Sequence, residues 1–256
     1  IIIKGDVSVD SSYVARLKEH ARFRFISQGA VSEASTSLSS SFIVPFAKAL
    51  GSNAAHIGFL SAFSGLIAPL GNLWGSKLME TRSRKSIHVT YTWWMSIIWL
   101  PIILLALLFN RQIGAPYLPI ALIVLYSLFI FFSSVKDPAS FSWLGDLILA
   151  KERGHYFAKR NRVIGWVGIF TFLIGGIILY WFELKPYVLA IYSAVFFVAI
   201  MLRVVSVYQV KHIFSPQMTL HRRARFSFWS FIRRYDNFGK FSVFQALFNF
   251  AVMGAS

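Results

Sequence analysis

Long apolar runs separated by short basic turns dominate this chain. A helix needs about 20 mostly apolar residues to cross the hydrocarbon core of a bilayer. Runs of that kind occupy residues 57–79, 87–109, 117–149 (longer, and interrupted), 163–182 and 187–208. A further candidate at 28–50 is less apolar, because serine recurs through it: "SQGAVSEASTSLSSSFIVPFAKAL". Another apolar run begins at Phe241, and the sequence stops at Ser256, too soon to span. The expectation is an all-α membrane protein with a six-span bundle over residues 27–208. A basic amino-terminal segment (1–26) leads into it. A basic central loop (209–240) and a seventh helix cut short (241–256) follow, as in a fragment of a longer protein.

Composition agrees. Of 256 residues, 56% are hydrophobic and only 14% charged, against about 25% charged in an ordinary soluble domain. The mean hydropathy is +0.60. The formal net charge of +16 would suit a nucleic-acid partner, but such proteins do not combine basicity with this much unbroken apolar sequence. Its distribution explains it instead. With the amino terminus placed in the cytoplasm, the inside segments hold Lys4, Arg16, Lys18, Arg22 and Arg24; Arg82, Arg84 and Lys85; Lys151, Arg153, Lys159, Arg160 and Arg162; and Lys211, Arg222, Arg223, Arg225, Arg233 and Arg234. The outside connections hold Arg111 and Lys185, with Lys48 near the end of the first span. That asymmetry sets membrane orientation and implies an inner, plasma-membrane location. In the central loop, Phe228, Phe231, Ile232, Tyr235 and Phe238 recur at helical spacing beside Arg233 and Arg234. They describe either an amphipathic helix lying on an anionic leaflet or a solvated basic linker.

Several chemistries drop out. There is no cysteine, so disulfides and thiolate metal sites are excluded. No HExxH, GxxxxGK[ST] or GxSxG motif occurs, and neither an enzyme, a cofactor nor a metal is expected.

Ionisable residues inside a membrane are costly and by default mark a cavity or pathway. The 28–50 segment carries Glu33, with Ser37, Ser40 and Ser41 on its stripe and Ser32, Thr36 and Ser39 widening the polar face. The fourth span carries Lys136 and Asp137, with Ser133 and Ser140 on the stripe of Asp137 and Pro138 beside it. Asp137 precedes Asp146 by nine residues, roughly 13 Å along a helix, so it belongs near mid-membrane. Adjacent residues point about 100° apart, which leaves Lys136 and Asp137 poorly placed to pair with each other. The bland readings are a local ion pair in a shallow cavity for Asp137 and a serine-satisfied buried acid for Glu33. Arg203 reads as a snorkelling residue, and His56 and His88 as interface residues. Trp93, Trp94 and Trp99 read as belt or packing aromatics, and Gly71, Gly75, Gly175 and Gly176 as close helix packing.

One turn carries a family signal. "GSKLMETRSRK", between the second and third spans, resembles the Gly…Asp-Arg-x-Gly-Arg-Arg/Lys signature of the major facilitator superfamily of transporters. Glu80 stands where that family has Asp, Thr81 and Ser83 depart from it, and Arg84 and Lys85 match the basic pair. "GDLILAKERG" after the fourth span, with Asp146 and then Arg153-Gly154, is similar to the family's fourth-to-fifth turn. The resemblance implies two inverted three-helix repeats, residues 28–109 and 117–208, with the first and fourth spans lining a central cavity. It also implies a cytoplasmic gate of Glu80, Arg84, Lys85, Asp146 and Arg153. The function expected is secondary active transport of a small solute by alternating access. Glu33, Ser37, Ser40, Lys136, Asp137 and Ser140 are the substrate and proton-binding candidates. Proton coupling would fall to Glu33 or Asp137, since burial disfavours a charged carboxylate. The alternative is a non-transporting scaffold or receptor of the same fold, which would leave every gradient across a liposome unaltered.

Overall fold

The computed structural model describes residues 11–182 and 187–215, together with Lys240 and Phe244. The expected amphipathic helix of the central loop and the run from Phe241 lie outside them, apart from those isolated positions. Among the described residues every regular element is helical: α1 (Ser11–Ser39), α2 (Ile43–Ala49), α3 (Ala54–Leu78), α4 (Arg84–Asn110), α5 (Leu118–Leu147), α6 (Arg153–Phe182) and α7 (Val188–Lys211).

Local chemistry sets several boundaries. α3 starts where the Asn53 side chain accepts from the His56 N–H at 2.9 Å, while His56 Nδ1 accepts from the Asn53 N–H at 3.4 Å. That is a reciprocal cap for donors with no helical partner. α4 starts at Ser83, whose hydroxyl accepts from the Ser86 N–H. The turns after α2 and α4 pass through Gly51 (φ 79°) and Gly114 (φ 64°), left-handed positions that a side chain would strain. α5 continues unbroken through Pro138.

Five helices, α3 to α7, are long and apolar enough to cross a membrane. The remaining candidate, 28–50, falls on the second half of α1, a tight turn at Ser40–Phe42 and α2. It is more polar than the five, and it is interrupted. The hydroxyls of Thr36 and Ser39 donate back to the carbonyls of Ser32 and Ser35, an arrangement that weakens and bends helices.

The helices contact one another in a chain of neighbours, α3–α5–α4–α7–α1–α6. α3 and α6, at its two ends, are the least buried of the five. Phe59, Leu66, Leu70 and Trp74 on α3, and Trp166, Phe170, Ile177 and Trp181 on α6, point outward. A helix apolar on all sides is at home in lipid rather than water.

Glycines let the outer helices approach. A Cβ on Gly71 would lie 2.7 Å from the Phe131 carbonyl oxygen of α5, and one on Gly75 would overlap that of Val135. On the other flank, a Cβ on Gly175 would lie 2.8 Å from the Phe42 ring, and one on Gly168 would lie 3.2 Å from Glu33 Cγ. Gly176, expected to pack, has open space around it.

Two main apolar clusters, and a small third one of Ile87, Val135 and Ala139, fill the interior. The larger includes Phe46, Trp99, Ile102, Leu122, Phe129 and Phe196; the smaller includes Phe25, Trp143, Leu144, Leu147, Tyr156, Val210 and Ile213. Trp99 lies in the larger one, with ring centroids 5.4 Å from Phe129 and 4.9 Å from Phe196. Trp93 and Trp94 are exposed.

Candidate functional site

On α1 and α5, polar and charged residues lie between the two main apolar clusters. On α1 the smaller cluster ends at Phe25 and the larger begins at Leu38; on α5 the larger ends at Phe129 and the smaller begins at Trp143. Between them lies a cavity of about 290 Å³. Its α1 wall is Gln28, Gly29, Ser32, Glu33 and Thr36, and its α5 wall is Ser133, Lys136, Asp137, Ser140 and Phe141. His88 of α4 and Arg160 and Ile164 of α6 complete it.

Four of the six predicted binding residues, Glu33, Lys136, Asp137 and Ser140, therefore meet around one cavity. Ser37 and Ser40 do not line it. Each step of four residues advances about 40° around a helix, so Ser37 is turned past the cavity and buried beside Gly168 of α6. Ser40 belongs to the tight turn after α1, near Tyr126. The expectation that Lys136 and Asp137 would not pair is corrected too. Lys136 Nζ comes within 3.7 Å of Asp137 Oδ1, because a four-carbon stem can fold back across the 100° that separates the two Cα–Cβ bonds.

Three contributors were missed. Arg203, expected to snorkel, is 1% exposed. It sits eight residues before the end of α7, about 12 Å along the axis, too far for its head to reach that end. Its Nε donates to Ser35 Oγ at 3.0 Å and its Nη2 to Thr36 Oγ1 at 3.5 Å, and its guanidinium lies 5.0 Å from the centre of the Phe129 ring. Ser35 in turn donates to the Ala199 carbonyl, and Gln28 to Ser206. Polar bonds thus join α1 to α7 behind the cavity.

His88, expected at an interface, is 3% exposed. Its Nδ1 lies 2.7 Å from Ser140 Oγ. Ser140 donates its one proton to the Lys136 carbonyl, so the His88 Nδ1–H donates to Ser140. Arg160, expected among the loop charges, lies two turns into the bundle, because α6 already begins at Arg153. It faces Glu33, as Arg203 does. Arg203 is legible as a charge within an apolar run, and Arg160 only as a loop charge ahead of one. The depth of both escapes the sequence, because the apolar runs are shorter than the helices.

At the end of the bundle where α4 begins and α5 ends, a second constellation forms. Arg84 makes an ion pair with Asp146 and donates to the Ser142 carbonyl at 3.3 Å. Arg153 donates to the Gly145 carbonyl at 3.0 Å. Glu80 is exposed, and among the described residues it forms no ion pair. Lys85 donates to the Ile213 carbonyl at 2.9 Å rather than to a carboxylate. Arg24 takes the His212 carbonyl at 2.8 Å, and Trp143 Nε1 the Phe214 carbonyl at 3.2 Å. Three neighbouring carbonyls leaving α7 are thus held from α1, α4 and α5, and cations suit a helix's negative end. Arg22 adds an ion pair with Glu152 at 2.9 Å and a bond to the Leu147 carbonyl at 2.8 Å.

The Arg84–Asp146 pair is half open to solvent on the Asp146 side, so its expected coupling is small, about 0.2–1 kcal/mol. Asp146→Asn and Arg84→Gln should each lower the unfolding midpoint in detergent, and the double variant should be less destabilised than the two effects summed. Strict additivity in that cycle would mean the pair contributes nothing.

Among the described residues the protein is all-α, with five helices long and apolar enough to cross a membrane and a charged cavity between two apolar clusters. No family model, no curated protein and no solved structure matches it.

Proposed function

We propose that this is an integral membrane protein acting as a secondary active transporter, with the charged cavity as its solute site and alternating access as its mechanism. The observation that carries the reading is the cavity itself, in which two carboxylates and two cations from α1, α5 and α6 converge between apolar clusters. Placing these charges among apolar helices is costly, and a static bundle gains nothing from the cavity they line.

The order of helix neighbours supports two inverted repeats. Exchanging α1 with α5, α3 with α6 and α4 with α7 turns α3–α5 into α6–α1 and α4–α5 into α7–α1, and leaves α4–α7 unchanged; all are contacts of this bundle. The glycine approaches follow the same exchange, Gly71 and Gly75 on α5 answering Gly168 and Gly175 on α1. This is the pairing expected of the transporter family that the 71–87 and 145–162 segments resemble. The gate is assigned to the end carrying Arg84 and Asp146, with Arg22–Glu152 as a second latch. The basic residues at that end support a cytoplasmic side for it and for the amino terminus, in an inner membrane.

In this reading Asp137 couples transport to protons. A proton on its carboxyl releases Lys136, and the cavity's charge then changes with occupancy. Asp137→Asn holds the neutral form permanently. In liposomes offered a panel of labelled solutes (an amino acid, a hexose, a dicarboxylate, an organic cation), the variant should still exchange the solute that the parent protein carries. It should no longer concentrate that solute when a pH gradient is imposed. Glu33→Gln is the companion, because one carboxylate suffices for coupling. Full pH-driven accumulation by Asp137→Asn would remove the coupling role, and absence of flux in the parent protein for every solute would favour a scaffold or receptor.

A further inference from the structure

The charge balance of the cavity says what kind of solute fits it. We propose that the site takes a small soluble anion bearing a carboxylate or phosphate group, with Arg160 as its direct contact and Arg203 supporting it from behind Thr36. This inference rests on the transport reading of the same cavity.

Three cations face two carboxylates here. Lys136 is engaged by Asp137 at 3.7 Å. Glu33 lies near both Arg160 and Arg203, with an ion pair to neither among the described residues, and one carboxylate can offset only one guanidinium. A full positive charge is left over in a region walled by apolar clusters, where charge is weakly screened.

The hydrogen bonds are unbalanced in the same direction. Arg160 Nε and Arg203 Nη1 are buried and have no hydrogen-bond partner among the described residues. A charged donor left unsatisfied is unfavourable, and the planar fork of an arginine matches the paired oxygens of a carboxylate or phosphate. A cationic solute would add to the excess charge. A neutral one could accept the hydrogen bonds but would leave the charge standing.

Size narrows the class further. The cavity, at about 290 Å³, lies at the lower bound for ligand sites, ~300 Å³. Gly29 helps define it: a Cβ there would lie 2.6 Å from Ile164 Cδ1 and 3.3 Å from Arg160 Nη2, so a larger residue would crowd both side chains at the cavity wall.

The test uses the intact protein in phosphatidylcholine nanodiscs, with inorganic phosphate, succinate, glucose and tetraethylammonium each titrated by calorimetry. At least one of the two anions should bind saturably, and Arg160→Gln should weaken that binding tenfold or more. Arg82→Gln, in the exposed turn before α4, should leave it unchanged. Should Arg160→Gln fail to fold, Arg160→Lys keeps the charge without the fork and should still weaken binding several-fold. Saturable binding of glucose or tetraethylammonium that is indifferent to Arg160→Gln overturns the proposal, as does binding of neither anion. A separate arm adds phosphatidic acid to the discs; stabilisation by that lipid with no binding of soluble anions would make this a headgroup site and overturn the solute form. The two readings fail separately. Arg160-dependent anion binding without flux in liposomes would sink transport and keep the anion site, whereas flux of a neutral solute unaffected by Arg160→Gln would do the reverse.

Discussion

Gly75→Val is expected to prevent the helix bundle from assembling, and Gly75→Ala to destabilise it by about 3 kcal/mol or more. A Cβ at this position would overlap the Val135 carbonyl oxygen and also crowd its carbonyl carbon and Cα, at 2.9 and 3.0 Å. Those are backbone atoms in the middle of α5, so no rotamer change relieves the clash. Only a separation of α3 from α5 does, and this contact is what holds α3 in the bundle. Gly65, on the same helix, has nothing within 4 Å of the corresponding position. Gly65→Ala should therefore be neutral, or stabilising by up to about 1 kcal/mol through helix propensity. Thermal unfolding and size-exclusion profiles in detergent distinguish the two. A Gly75→Ala protein as stable as Gly65→Ala would mean that α3 does not approach α5 as described.

The second large effect concerns Arg203. Arg203→Met should leave the bundle folded, with stability within about 2 kcal/mol of the parent, while solute exchange in liposomes falls at least tenfold. A buried charge contributes little net stability, since its desolvation offsets its attractions, and an apolar residue of similar length often substitutes without harm. Its field does not survive the change. Glu33 would lose one of its two facing cations, and Ser35 and Thr36 would lose the guanidinium that ties them to α7. Arg203→Lys should rescue exchange only in part, because a point charge cannot reach both hydroxyls in the geometry of the fork. Unimpaired exchange by Arg203→Met would restrict Arg203 to packing against Phe129. A steep loss of stability with proportionate loss of exchange would point to the same structural role.

Much of the bundle was legible without coordinates. The five apolar helices follow from runs long enough to cross a bilayer, since a backbone in lipid must satisfy its own hydrogen bonds and a helix does so locally. Asp146 and Arg84 were recognisable as charges at facing turns, and they do pair. Glu33 and Asp137 stood out as acids within helical runs, and both reach the cavity.

What escaped was the rotation and depth of particular side chains. Ser37 shares a stripe with Glu33 in a helical projection, but a stripe drifts around the helix and the cavity occupies only part of it. Lys136 and Asp137 looked divergent because Cα–Cβ directions describe short side chains better than long ones. Lys85 looked like half of a gate and instead holds the Ile213 carbonyl, because the chain leaving α7 ends beside it.

By itself the sequence determined the helices, the polar character of α1 and the residues that could carry charge into the interior. These depend on local chemistry: apolar length, backbone hydrogen bonding within a segment, and the cost of a lone charge in an apolar medium. Tertiary structure alone decided which charges share a cavity. Arg160, Arg203 and His88 come from α6, α7 and α4, far apart along the chain, and only the neighbour order of the helices and the close approach at the glycines bring them to Glu33 and Asp137. The excess of positive charge that selects an anion is a sum over those neighbours, and no local stretch of sequence contains it.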